Sequence, residues 1–73
     1  MPSKYPVLEP EIIIRVLQKE YGYRFVSQKG SHRKYTDGSH TVIIPMHSEV
    51  AKGTLRSILQ MAEIPIDDFL SRY

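Results

Sequence analysis

Residues 29–35 read Lys-Gly-Ser-His-Arg-Lys-Tyr, so one imidazole, His32, stands among three cations, Lys29, Arg33 and Lys34. Imidazole ordinarily titrates near neutrality, roughly pH 6.5, and can therefore take or give a proton under working conditions. Like-charged neighbours favour its neutral, proton-accepting form. A second basic pair, Lys52 and Arg56, follows one helical turn apart. Between Lys29 and Arg56 five basic residues (Lys29, Arg33, Lys34, Lys52, Arg56) stand against two acidic ones (Asp37, Glu49), although the whole chain carries only +2. A positive centre between slightly acidic ends reads as an electrostatic footprint for phosphate. An ordinary solvated surface is the plain alternative.

The elements that must position these groups follow from period and punctuation. Pro10 suits a first helical position, Glu11 the positive end of the helix dipole, and Gly22 a stop, which predicts a helix over 10–21. Glu9 is a poor N-cap. Ile13, Val16, Leu17 and Tyr21 form the expected buried stripe, with Ile12 and Ile14 toward its margins or in solvent. The period then changes to two, and residues 23–28, 31–36 and 40–44 read as antiparallel strands bounded by Lys29-Gly30, Asp37-Gly38 and Pro45. Asp37-Gly38 predicts a tight primed turn, with positive φ at glycine and aspartate. After a loop over 46–51, Leu55, Ile58, Leu59 and Ala62 mark a second amphipathic helix over 52–62 that Pro65 ends. Ile66, Phe69 and Leu70 behind Asp67 and Asp68 predict a short C-terminal helix. The fold class is α+β, in the order α-β-β-β-α, with a three-stranded antiparallel sheet, helices on one face and a short extra C-terminal helix.

Strand alternation gives the histidine a direction. Ser31, Arg33 and Tyr35 share one face; His32, Lys34 and Thr36 share the other. Tyr35, Val42 and Ile44 suit the helix-covered face, so His32 should meet solvent beside Lys34. A packing role would have put it with Tyr35; a plain exposed histidine is the alternative. Tyr23 and Phe25 recur on one strand face and read as core.

At 73 residues with 41% hydrophobic content, the chain suits one small core, since a chain this short hides only roughly 60% of its unfolded surface. Residues 1–7 are expected to form a flexible N-terminus and 8–73 a single domain. The absence of cysteine leaves no disulfide framework or thiolate zinc site and points to the cytoplasm. Residues 1–6 lack the apolar core of a signal peptide, and no apolar run is long enough to cross a bilayer.

Gln28-Lys-Gly-Ser-His-Arg-Lys-Tyr35, the Asp-Gly hairpin, Val42-Ile-Ile-Pro45 with His47 close by, Lys52-Gly-Thr-Leu-Arg-Ser-Ile-Leu-Gln-Met-Ala62 and Ile64-Pro-Ile-Asp-Asp-Phe-Leu70 together resemble the HicA toxin family, also called YcfA-like, over about residues 8–70. Its most specific parts are the glycine-serine-histidine triplet with an aromatic three residues on, and the Gly53-Thr54-Leu55-Arg56 helix start. Arg33 stands where a second histidine is frequent, Met46 precedes His47, and Lys52 occupies a place where proline is common. The resemblance implies a double-stranded-RNA-binding-domain-like fold, a ribosome-independent mRNA endoribonuclease, and a HicB-type antitoxin as inhibiting partner. It maps the catalytic histidine onto His32 and implies cleavage without metal or other cofactor. Direct DNA binding without the antitoxin is not expected, nor is a membrane partner.

RNA carries its own nucleophile, the 2′-hydroxyl, so cleavage needs in-line positioning, a proton carrier and cations. His32 fits the general base, with water or a lysine serving the leaving group and Lys29, Arg33 and Lys34 supplying charge. Gly30 and Ser31 can bring N–H groups and a hydroxyl to phosphate, while Lys52, Thr54 and Arg56 add charge and a helix N-terminus. These contacts would hold RNA without reading its bases. Asp37 and Glu49 form no paired magnesium site near His32. His32, His40 and His47 could bind zinc only if they converged, which strand alternation does not require. The rivals are a non-catalytic RNA-binding module of the same fold and an interaction protein that uses Ile43, Met46 and His47.

Overall fold

The computed structural model describes residues 5–73; part of the expected flexible segment, residues 1–4, lies outside them. The order is α1 (Pro10–Tyr21), β1 (Arg24–Lys29), β2 (His32–Thr36), β3 (Thr41–Pro45), α2 (Lys52–Ala62) and α3 (Ile66–Arg72), the α+β arrangement expected. The antiparallel strands lie in the order β1-β2-β3. No helix among the described residues is long and apolar enough to cross a membrane.

Pro10 starts α1 at a point where a missing N–H costs no helical bond. Gly22 ends the helix in the left-handed region at φ 71°, its N–H turned back to the Leu17 carbonyl. Glu9 makes no side-chain cap. The buried face of α1 is wider than its expected stripe: Ile14 is buried, whereas Ile12 is half-buried as expected. With about 3.6 residues per turn, Ile14 lies one turn beyond Pro10 and three residues before Leu17, on their face. Tyr21 is only half-buried and donates its hydroxyl to Asp68 Oδ2 at 2.5 Å, tying α1 to α3. Burial and this acceptor push the Tyr21 phenol up to about 12. Arg72 adds contacts to Glu20 at 3.2 Å and Asp68 at 3.3 Å.

α2 buries Leu55, Ile58, Leu59 and Ala62 as their spacing predicts, packing on β3, and ends at Glu63 with φ 56°, two residues before Pro65. Phe69 of α3 is fully buried. Together with Ile13, Leu17, Tyr35, Val42 and Ile44 they form a single core between the helices and one sheet face.

β1 behaves differently from the other strands. All six of its residues are exposed, because the register shifts between Phe25 and Ser27 and this edge strand receives no substantial helix packing. Tyr23, just before it, is buried, but Phe25 is 52% exposed, correcting its expected core position. Its ring meets that of Tyr35 at 75°, with centroids 5.8 Å apart. The β2–β3 turn is also displaced by one residue. Asp37 N–H bonds to the His40 carbonyl, and Gly38 alone takes positive φ, at 98°. Asp37 stays outside the left-handed region because its carboxylate caps the turn, accepting from the Ser39 and His40 N–H groups at 2.8 and 2.6 Å. These bonds hold the carboxyl down at about 2. His40, expected at the start of the third strand, therefore belongs to the turn.

Candidate active site

The open sheet face is built by alternation. Lys34 pairs with Ser27 on one side and Ile43 on the other; His32 pairs with Lys29 and Pro45. These positions leave the face opposite buried Tyr35, Val42 and Ile44. His32, Lys34 and Lys29 are exposed, and with Ser27 and Ile43 they line a depression of about 510 Å³. Gly30 and Ser31 form the tight turn that delivers His32 to this place. Gly30 has φ 59°, which a side chain would strain, although a Cβ there would meet no neighbouring atom. Its backbone freedom, rather than space, favours glycine.

His32 also lines a second depression, of about 520 Å³, with His47, Ser48, Glu49 and Thr54. The His32 and His47 rings stand at 72° with centroids 6.3 Å apart. Two pins hold His47 there. Met46 N–H donates to the Ser31 carbonyl at 2.6 Å, and Val50, buried at 1% exposure, exchanges backbone bonds with Leu8. The loop between strand and helix is thus closed at both ends. Met46 itself is half-buried against the core rather than an exposed partner contact. Val50 and Leu8 lie in short stretches, Val7-Leu8 and Val50-Ala51, with no helical or strand period to mark them as partners. His47 lies beyond the end of β3 at Pro45, the residue opposite His32, and the two pins carry its loop back beside that histidine.

The other expected phosphate contacts divide. Thr54 reaches the second depression from the first turn of α2. Lys52 and Arg56 are exposed on the same helix but line neither depression. The N-cap of α2, Ala51, offers no side-chain cap to the first-turn N–H groups. Arg33 occupies the opposite alternation from His32, beside Ile44, and donates Nε–H to Gln28 Oε1 at 3.0 Å. Its charge is not beside the imidazole. Gln28 Nε2 in turn donates to the Gly30 carbonyl at 2.8 Å, bracing the turn from behind.

The three histidines do not converge: His32 and His47 share a depression that His40 does not line. His40 meets Asp37 Oδ2 through Nδ1 and Glu63 Oε2 through Nε2, each at 3.2 Å. The bond to Asp37, ahead of the contact with Glu63, raises its pKa above the ordinary histidine value. Glu49, set aside as a magnesium ligand on sequence grounds, does reach the second depression, whereas Asp37 serves the distant turn. Among the described residues, no group of three or more histidine, cysteine, aspartate or glutamate side chains has an arrangement that could hold a metal ion.

No curated protein matches the chain. The family model described as the HicA toxin of bacterial toxin-antitoxin systems matches residues 11–64, a span that includes the glycine-serine-histidine turn, the sheet and α2. The chain therefore belongs to the HicA toxin family, the toxin half of a bacterial toxin–antitoxin pair whose other half is an antitoxin.

Proposed function

We propose that this toxin is a metal-independent endoribonuclease that cleaves mRNA without the ribosome, with His32 as its proton acceptor. The observation that carries this reading is the exposed His32 imidazole in one open depression with Lys29 and Lys34, on the sheet face away from the core. An RNA phosphate seated there has cations for the charge that builds on its oxygens. Its own 2′-hydroxyl lies within reach of an imidazole nitrogen. His32 takes the 2′-hydroxyl proton, the 2′-oxygen attacks phosphorus, and the chain breaks to a 2′,3′-cyclic phosphate and a 5′-hydroxyl. Ser31, the Gly30 backbone, Thr54 and the first-turn N–H groups of α2 add phosphate contacts, with Lys52, Arg56 and Arg33 as more distant charges along the strand's path. The work is done in the cytoplasm. A HicB-type antitoxin inhibits by covering the His32 face with acidic or bulky groups where the phosphate would lie.

The test is cleavage of a structured mRNA by the purified protein in EDTA, alongside His32→Ala, with RNA affinity measured and product ends mapped. Cleavage to cyclic-phosphate ends, lost in the variant while binding is retained, is expected. Products with 5′-phosphates, or equal cleavage by the variant, would overturn the mechanism. Salt-sensitive binding by both proteins without cleavage by either would leave a non-catalytic RNA-binding module.

A further inference from the structure

We propose that His47 is the second proton carrier of this site, the acid that protonates the 5′-oxygen as it leaves, a step that rests on the ribonuclease reading above. In-line displacement puts the attacking 2′-oxygen and the departing 5′-oxygen on opposite sides of phosphorus, so one side chain cannot serve both. Two imidazoles with centroids 6.3 Å apart, both exposed and lining one depression, can bracket a single phosphate. Each needs only a hydrogen bond of about 2.8 Å to its own oxygen.

His47 is held for this task by its loop. The Met46 and Val50 backbone bonds fix the segment on either side of it. Ser48 Oγ lies 3.2 Å from His47 Nδ1. With Nδ1–H donating to that hydroxyl, Nε2 is the nitrogen left to exchange a proton with the leaving group. The lysines serve less well as acids. An ordinary ammonium, near pKa 10.4, holds its proton too firmly at neutral pH, whereas an ordinary imidazole, near 6.5, is matched to the medium. Lys29 and Lys34 line the adjoining depression, which shares His32 and Ile43 with this one, and so flank the same phosphate as charge while His47 meets the leaving oxygen. The titratable groups that share the depression with His47 are His32 and Glu49.

The step balances. The bond from the 2′-oxygen to phosphorus forms as the bond from phosphorus to the 5′-oxygen breaks. His32 gains the 2′-hydroxyl proton and His47 gives one to the 5′-oxygen. Exchange with water then restores both imidazoles.

The experiment compares wild type, His47→Ala and His32→Ala on two RNAs. One carries the ordinary 5′-oxygen at the mapped scission site; the other carries a bridging 5′-sulfur, which leaves as a thiolate without protonation. His47→Ala should slow the oxygen substrate by about 10²-fold or more but the sulfur substrate by less than about tenfold, whereas His32→Ala slows both. The alkaline limb of the wild-type pH–rate profile should disappear in His47→Ala and persist in Glu49→Gln. His47 is exposed, so circular dichroism and thermal melts should match the wild type. Equal slowing of both substrates by His47→Ala, or no slowing of either, would overturn the proposal. A wild-type protein that cleaves neither RNA would overturn the ribonuclease reading and this step with it.

Discussion

β2 lies between two tight turns, and a histidine stands at each. His32 follows the Gly30-Ser31 turn, and His40 closes the Gly38-Ser39 turn at the other end. Both side chains have access to solvent, yet their surroundings differ in kind. His40 is clasped between Asp37 of its own turn and Glu63 at the end of α2, so both ring nitrogens already have carboxylate partners. His32 faces His47 across an open depression, with Lys29 and Lys34 in the adjoining one. An imidazole saturated by carboxylates is a structural clasp, since giving up its proton means losing two charge-assisted bonds. One set among cations, with nitrogens open to a ligand, is free to exchange a proton. Residue type does not separate the two; their partners do.

The largest expected contrast lies in activity. His32→Ala should lower RNA cleavage by about 10² to 10⁴-fold, while His40→Ala should stay within about twofold of wild type at neutral pH. Comparable losses in both, measured as single-turnover rates, would break the distinction between chemical and structural histidines.

Next comes a contrast between the two sheet faces, using adjacent residues of β3. Ile44 is fully buried and Ile43 is 45% exposed. Ile44→Ala should cost about 2–5 kcal/mol in urea unfolding, and Ile43→Ala about 0.5 kcal/mol or less. If the two costs proved similar, the open face would be carrying stability as well as chemistry.

A smaller effect belongs to Tyr23, whose buried hydroxyl has no hydrogen-bond partner among the described residues. Burial pushes this phenol up to about 12. Tyr23→Phe removes an unsatisfied polar atom and keeps the ring, so it should stabilise by about 1 kcal/mol. Destabilisation on thermal melting would show that the hydroxyl has a partner.

The smallest effect sharpens the account of His40. Its folded pKa is raised above the ordinary 6.5. Its contribution is therefore full below the unfolded value and fades as pH rises through the folded one. The melting-temperature difference between wild type and His40→Asn should be larger at about pH 5.5 than at about pH 8.5. Asp37, held down at about 2 from 3.8, remains ionised across that window. A difference that does not vary with pH would remove the clasp.

Much of the frame was legible because it depends on near neighbours. Pro10 and Gly22 bound α1 through the backbone's own limits, and the spacing of Leu55, Ile58, Leu59 and Ala62 marked the buried side of α2. The outward direction of His32 followed from alternation with Tyr35. Where local reasoning failed, a distant contact or a competing local bond had intervened. Phe25 lost its cover because the helices leave β1 as an open edge. The Asp37 carboxylate capped its turn and moved the bend onward by a residue. Arg33, counted with the cations around His32, follows instead the alternation that puts it on the other face, where it bonds to Gln28.

The sequence by itself determined the element order, the family motif and the face from which His32 projects, since helical period, strand alternation and the conformational limits of proline and glycine act over a few residues. Only the tertiary structure decided that His47 would stand beside His32 and that His40 would not. The backbone bridge between Leu8 and Val50 pins one loop at the site, and Glu63 reaches His40 from the end of a different helix. Such pairings depend on where the chain returns in space, which no local spacing encodes.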